Sequence, residues 1–203
     1  MASSTEIANM ALAHLGNSKQ IASLTESSGE ARACNQFYEI AKDKVLEDFN
    51  WPFARTFVTL GLVEENPTGI DDEWGFSYRY PSDCLKVRRL ISGIKAEDRL
   101  SEIKFIIGSD AQGVLIFTDQ EDARLEYTKR ETDTAKFPTT FQIALSYYLA
   151  SLIGPRVTAG DPFGLTKKCA GEYLVEIGKA QAKALNEQRK PNDADSEFIQ
   201  AYQ

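Results

Sequence analysis

The stretch Asp48-Phe49-Asn50-Trp51-Pro52-Phe53-Ala54-Arg55-Thr56-Phe57-Val58-Thr59-Leu60 decides the fold, because the periodicity of the chain changes within it. Upstream, Cys34, Phe37, Tyr38, Ala41, Val45 and Phe49 recur at helical spacing. They predict one long helix from about Ser28 to Phe49, with Lys42, Lys44, Glu47 and Asp48 mostly off the apolar stripe. Pro52 disfavours helical geometry in the residue before it, so Asn50-Trp51-Pro52 ends that helix. Downstream the period is two. Thr56, Val58, Leu60 and Leu62 alternate with Phe57, Thr59, Gly61 and Val63, which reads as one strand.

Working outward, Ser3-Ser4-Thr5 followed by Glu6 is a helix start. Ile7, Met10, Ala11, His14 and Leu15 keep helical spacing until Gly16-Asn17 stops it. A loop through Gly29 follows, anchored by Ile21 and Leu24. On the other side, Glu64–Glu73 reads as a polar loop, and Trp74, Phe76, Tyr78 and Tyr80 as one face of a strand whose other face carries Ser77 and Arg79. That aromatic ladder at strand period is core material rather than a stacking platform. Further strands are expected at Leu85–Ile91, Ile103–Ile107, Val114–Thr118 and Arg124–Thr128, separated by Gly93, Gly108-Ser109-Asp110 and Asp119–Asp122. Helix returns after Phe137-Pro138, with Thr139 or Thr140 as its cap and Gly154-Pro155 as its end. After a Gly160–Gly164 loop, a last helix spans about Leu165–Glu187 on Cys169, Tyr173, Val175, Ile177 and Ala180.

The fold class is therefore α+β. A helical bundle is built from both chain ends (1–52 and 137–190), with an inserted antiparallel β domain, a small sandwich or barrel, over 53–136. Residues 191–203 form a short acidic tail.

Composition removes function classes. The chain has 203 residues, a formal net charge of −7, one histidine and three cysteines. Its apolar runs are far shorter than the ~20 residues of a membrane span, and Met1–Ala13 lacks the basic-then-apolar order of a secretory leader. Cys34, Cys84 and Cys169 fit no metal or redox spacing and read as reduced thiols. Neither GxxxxGK[ST], GxGxxG nor GxSxG occurs, so no phosphate cradle, cofactor or nucleophile elbow is expected. His14 lies within a helical apolar pattern and reads as structural, and Asp71-Asp72-Glu73 as a solvated loop. Net charge is −3 over 1–52, −4 over 53–136, +2 over 137–189 and −2 over 190–203. A DNA-gripping regulator needs basic leading helices, and these are acidic.

Several segments together resemble one family. Glu6-Ile7-Ala8-Asn9-Met10-Ala11-Leu12-Ala13-His14-Leu15-Gly16 leads through Ile21 and Leu24 to a long helix and Asn50-Trp51-Pro52-Phe53. Then follow Tyr78-Arg79-Tyr80-Pro81-Ser82-Asp83-Cys84-Leu85-Lys86-Val87 and Phe137-Pro138-Thr139-Thr140-Phe141. In this order, over about residues 5–190, they resemble the head-to-tail adaptor of short-tailed bacteriophages, the tail tubular protein A family.

The resemblance implies a non-enzymatic virion protein, assembled in the host bacterial cytoplasm. It implies a homo-oligomeric ring of twelve subunits between the portal protein and the tail nozzle, which extends the channel for DNA ejection without sequence-specific binding. It also implies a C-terminal tail that engages the portal, here with Phe198, Ile199 and Tyr202 as apolar anchors. Arg156, Lys167, Lys168, Lys179 and Lys183 are candidates for pairing with acidic faces of neighbouring subunits. The alternatives are a neck or stopper ring of a long-tailed phage and a virion-associated glycan-degrading enzyme using paired carboxylates.

Overall fold

The computed structural model describes residues 3–67, 74–91 and 102–187. Helix α1 (Ser4–His14) opens with a capping box: Ser3 Oγ accepts from the Glu6 amide at 3.2 Å, and Glu6 Oε2 accepts from the Ser3 amide at 2.6 Å. Gly16, at φ +73°, turns the chain out of it. The following loop is tied down by Asn9, whose side chain both donates to and accepts from the backbone of buried Ile21. Helix α2 (Gly29–Asp48) is capped by Ser28.

Helices α3 (Thr139–Val157) and α4 (Leu165–Glu187) complete the bundle, with α3 at its centre and α1, α2 and α4 packed on it. Ile7, Leu12, Leu46, Phe141, Leu145, Leu149 and Ile153 are fully buried there. Each such side chain contributes about 1.5–3 kcal/mol by leaving water. Lys42, expected off the stripe, is buried; its ammonium reaches Glu39 at 2.6 Å.

Two expectations about α3 are corrected. Its N-cap is Pro138, with no capping side chain, so neither Thr139 nor Thr140 serves. The helix also runs through Gly154-Pro155 to Val157. A residue before proline is normally driven from helical geometry partly by its Cβ, and Gly154 has none. The last turn closes on Gly154, whose carbonyl accepts from the Thr158 amide at 2.9 Å and its hydroxyl at 2.7 Å.

The seven described strands are β1 (Arg55–Thr59), β2 (Leu62–Glu65), β3 (Phe76–Arg79), β4 (Cys84–Ile91), β5 (Ile106–Asp110), β6 (Gly113–Thr118) and β7 (Arg124–Lys129). They form two antiparallel sheets, ordered β1-β7-β4 and β2-β3-β6-β5. Tyr78 and Ile116 of one sheet share a core with Leu90, Leu125 and Tyr127 of the other, so the insert is a sandwich. The single strand expected through Thr56–Val63 is broken at Leu60-Gly61. The Leu60 amide donates to Ala123 beside β7, and the Gly61 carbonyl accepts from Arg79 on β3, so the chain changes sheets there.

The strand expected at Ile103–Ile107 is shifted toward the C-terminus. Gly108-Ser109-Asp110, expected as a loop, belongs to β5, and the hairpin turns over Asp110–Gly113. Gly108 is needed in the strand because a Cβ would meet the Phe117 ring at 2.8 Å.

Helices and sheets meet at a polar seam. Arg88 of β4 donates to the carbonyls of Leu46, Glu47 and Phe49 at the end of α2, and its Nε to Thr128 Oγ1 at 2.7 Å. Buried Glu126 accepts from Asn50 at 3.0 Å and from Arg89 at 2.6 Å. Trp51 enters the helical core, where its indole nitrogen donates to Val45 at 2.8 Å and its ring meets Phe141 edge-on.

Candidate functional site

The histidine and the three cysteines are the first residues to consider for chemistry. His14 Nε2 lies 3.0 Å from Ser146 Oγ, and that hydroxyl donates to the Ile143 carbonyl at 2.8 Å. Ser146 is thus held between the imidazole and a carbonyl of its own helix. The His14 ring is stacked on Tyr147 at 3.9 Å, and burial lowers its pKa, keeping it neutral. Burial pushes the Cys34 and Cys84 thiols up to about 11 and raises Cys169, which disfavours the thiolate in all three.

Among the carboxylates, Glu126 is held in the polar seam. Asp110 accepts two hydrogen bonds from Arg79, at 2.9 and 2.8 Å, which hold its carboxyl down to about 2. No group of three or more metal-ligating side chains occurs among the described residues. Asp71-Asp72-Glu73 lies outside them.

The surface carries several exposed apolar side chains. Helix α4 turns Cys169, Tyr173, Ile177, Ala180 and Ala184 inward, and Tyr173 donates to Asp48 of α2 at 2.7 Å. Its outer side carries Leu174, 69% exposed, and Val175. Val175, expected in the buried stripe, lies half exposed because it is two residues from both Tyr173 and Ile177 and so points elsewhere on the helix. Gly171 and Gly178, on either side of this patch, border open space.

Four of the five basic candidates are on α4. Lys167 and Lys168 are exposed at its start, Lys179 pairs with Glu176 at 2.6 Å, and Lys183 lines a cleft of about 200 Å³ with Phe49, Trp51, Phe53 and Lys136. Arg156, at the end of α3, instead bonds Gln36 and lies 5.7 Å over the Phe37 ring of α2, within its own chain. Phe198, Ile199 and Tyr202 lie outside the described residues.

A second set of exposed apolar side chains lies on the sheets: Phe57 on β1, Leu62 and Val63 on β2, Ile107 on β5 and Val114 on β6. Beside it, a cleft of about 630 Å³ opens between the sheets along Val58, Leu60, Arg79, Tyr80, Cys84 and Val114. Phe163 stands 84% exposed in the α3–α4 loop. The residue types were plain in the sequence, but their exposure was not. Only Leu174, off the inward spacing of α4, carried a signal. No helix among the described residues is long and apolar enough to cross a membrane. No protein-family model matches the chain, and no curated protein matches it in sequence.

Proposed function

We propose that this protein is a structural head–tail adaptor of a short-tailed bacteriophage. It assembles head to tail into a ring, twelve-membered by the family resemblance, between the portal and the tail nozzle. The observation that carries this reading is that apolar side chains are exposed at unlike places on one subunit: Leu174 and Val175 on the lysine-bordered α4 face, Leu62 and Val63 on edge strand β2, and Ile107 on the opposite edge strand β5. A ring closes by heterologous contacts, which need two different adhesive patches on each copy. The order of the resembling segments supports the same reading, as do the helices from both chain ends around an antiparallel insert. A net charge of −7 per copy suits a wall past which DNA slides, since it repels phosphates.

The test is electron microscopy of the protein mixed with the portal encoded in the same genome. A ring seated beneath the portal is the expected result, and a bare portal at saturating protein overturns the reading. A ring found instead in the neck of a long-tailed particle selects the stopper role.

A further inference from the structure

The four-stranded sheet has two outer strands, β2 and β5, and among the described residues no strand pairs with their outer sides. Leu62 of β2 stands opposite Tyr78, and Ile107 of β5 opposite Ile116. Opposed side chains of an antiparallel ladder share a face, and Tyr78 and Ile116 are buried between the sheets. Leu62 and Ile107 therefore belong to the core-facing side, yet they are 50% and 53% exposed. The inter-sheet core reaches water at both edges of this sheet. All four residues of β2 are exposed. Such edges are templates for pairing with another chain unless something covers them.

Strand direction alternates across the sheet, so β2 and β5 run in opposite senses. Rotating a copy about an axis along the strands preserves every direction, so β5 of one copy meets β2 of the next antiparallel. An odd number of strands would not give this. In that orientation the end of β2, with Glu64 and Glu65, lies beside the start of β5, preceded by exposed Lys104. Setting Leu62 opposite Ile107 brings Glu65 within one residue of Lys104, so one register satisfies both the apolar and the charged pair.

We infer that β5 of one subunit pairs antiparallel with β2 of the next, continuing the sheet from copy to copy. This rests on the head-to-tail reading above and names one of its interfaces. The added strand closes the core over Leu62 and Ile107 and gives partners to the outer sides of β2 and β5, which no described strand pairs.

The experiment links Leu62→Cys/Ile107→Cys protein with a short bis-maleimide, both mixed with portal and alone at high concentration. Each single variant sets the background from the native thiols. A ladder of linked species beyond the dimer, in the double variant only, is expected. Rings seen beneath the portal without a ladder overturn the edge pairing and leave the adaptor reading standing. A ladder in the concentrated protein without rings on the portal does the reverse. No ladder in either sample overturns the pairing.

A charge exchange decides the matter if the cysteine variant misfolds. Lys104→Glu should raise the concentration for half-assembly at least about tenfold, and adding Glu65→Lys should restore it. Half-assembly unchanged by Lys104→Glu overturns the pairing.

Discussion

The guanidinium of Arg88 donates from Nη2 to the carbonyl of Phe49 at 2.8 Å. The same nitrogen reaches Glu47 at 3.0 Å and Leu46 at 3.3 Å. A strand residue thus supplies the cation and the donors that the end of α2 needs. Arg88→Ala should cost about 2–3 kcal/mol, the worth of hydrogen bonds to a charged group plus the orphaned carbonyls. Arg88→Lys should recover only part, since one ammonium cannot hold Thr128 and the helix end together. Urea unfolding checks both, and a wild-type midpoint for the alanine variant contradicts the assignment.

Gly154 and Gly171 should respond to alanine in opposite directions. A Cβ at Gly154 would meet Thr166 Oγ1 at 2.6 Å and Leu15 at 3.4 Å, whereas one at Gly171 meets nothing within 4 Å. Gly154→Ala should therefore destabilise by about 1–3 kcal/mol through overpacking. Gly171→Ala should stabilise by up to about 1 kcal/mol through helix propensity. Thermal melts of the two variants test the contrast, which fails if both shift the same way.

Stability should depend on Asp110 at low pH. Its carboxyl titrates near 2 in the folded chain, below its ordinary value of 3.8, chiefly because of the Arg79 hydrogen bonds. The unfolded chain takes up the proton first, so the contribution is complete above about pH 4 and is lost as pH falls through about 2. Asp110→Asn should flatten this acid limb, measured as urea midpoints at pH 4.5 and 2.5. Equal slopes in both proteins would show that the pair does not contribute.

Leu174→Asp should separate folding from assembly. The side chain is 69% exposed, so the melting curve should shift by no more than about 0.5 kcal/mol. Rings on the portal should nevertheless be lost, because a carboxylate would then have to be buried against a neighbour. Rings at wild-type yield would remove the α4 face from the proposed assembly.

Deleting residues 192–203 should weaken attachment to the portal and leave the fold intact. The deletion removes Phe198, Ile199 and Tyr202 together with Asp193, Asp195 and Glu197. Co-sedimentation with the portal reads the effect, and unchanged binding refutes the tail as an anchor.

The helices and the Trp-Pro exit were legible in the sequence because each rests on local chemistry: the Ser3–Glu6 box, the stripe of α2, the proline after Trp51. The core role of Tyr78 followed from simple alternation. The break at Leu60-Gly61 was not legible, because alternation looks the same whichever sheet a residue joins. Gly108 read as a turn because glycine usually marks one; its reason for being in a strand is the Phe117 ring across the ladder. Likewise, nothing local to Arg156 announces Phe37 or Gln36, which lie a long way back in the chain. As for the site, the basic residues of α4 could be read directly. The exposed edges of the sandwich could not, since edge and centre strands share a composition and differ only in their neighbours.

The chain enters the sandwich along β1 and leaves it along β7, and these strands are hydrogen-bonded partners, with Arg55 opposite Thr128. The sandwich is thus joined to the helices by two covalent crossings that lie side by side, and next to them by the contacts of Arg88 and Glu126 with the end of α2 and Asn50. Such a junction is a clasp: a load on either part falls on the paired roots and the Arg88 contacts together, so the insert cannot be exchanged without remaking the end of α2.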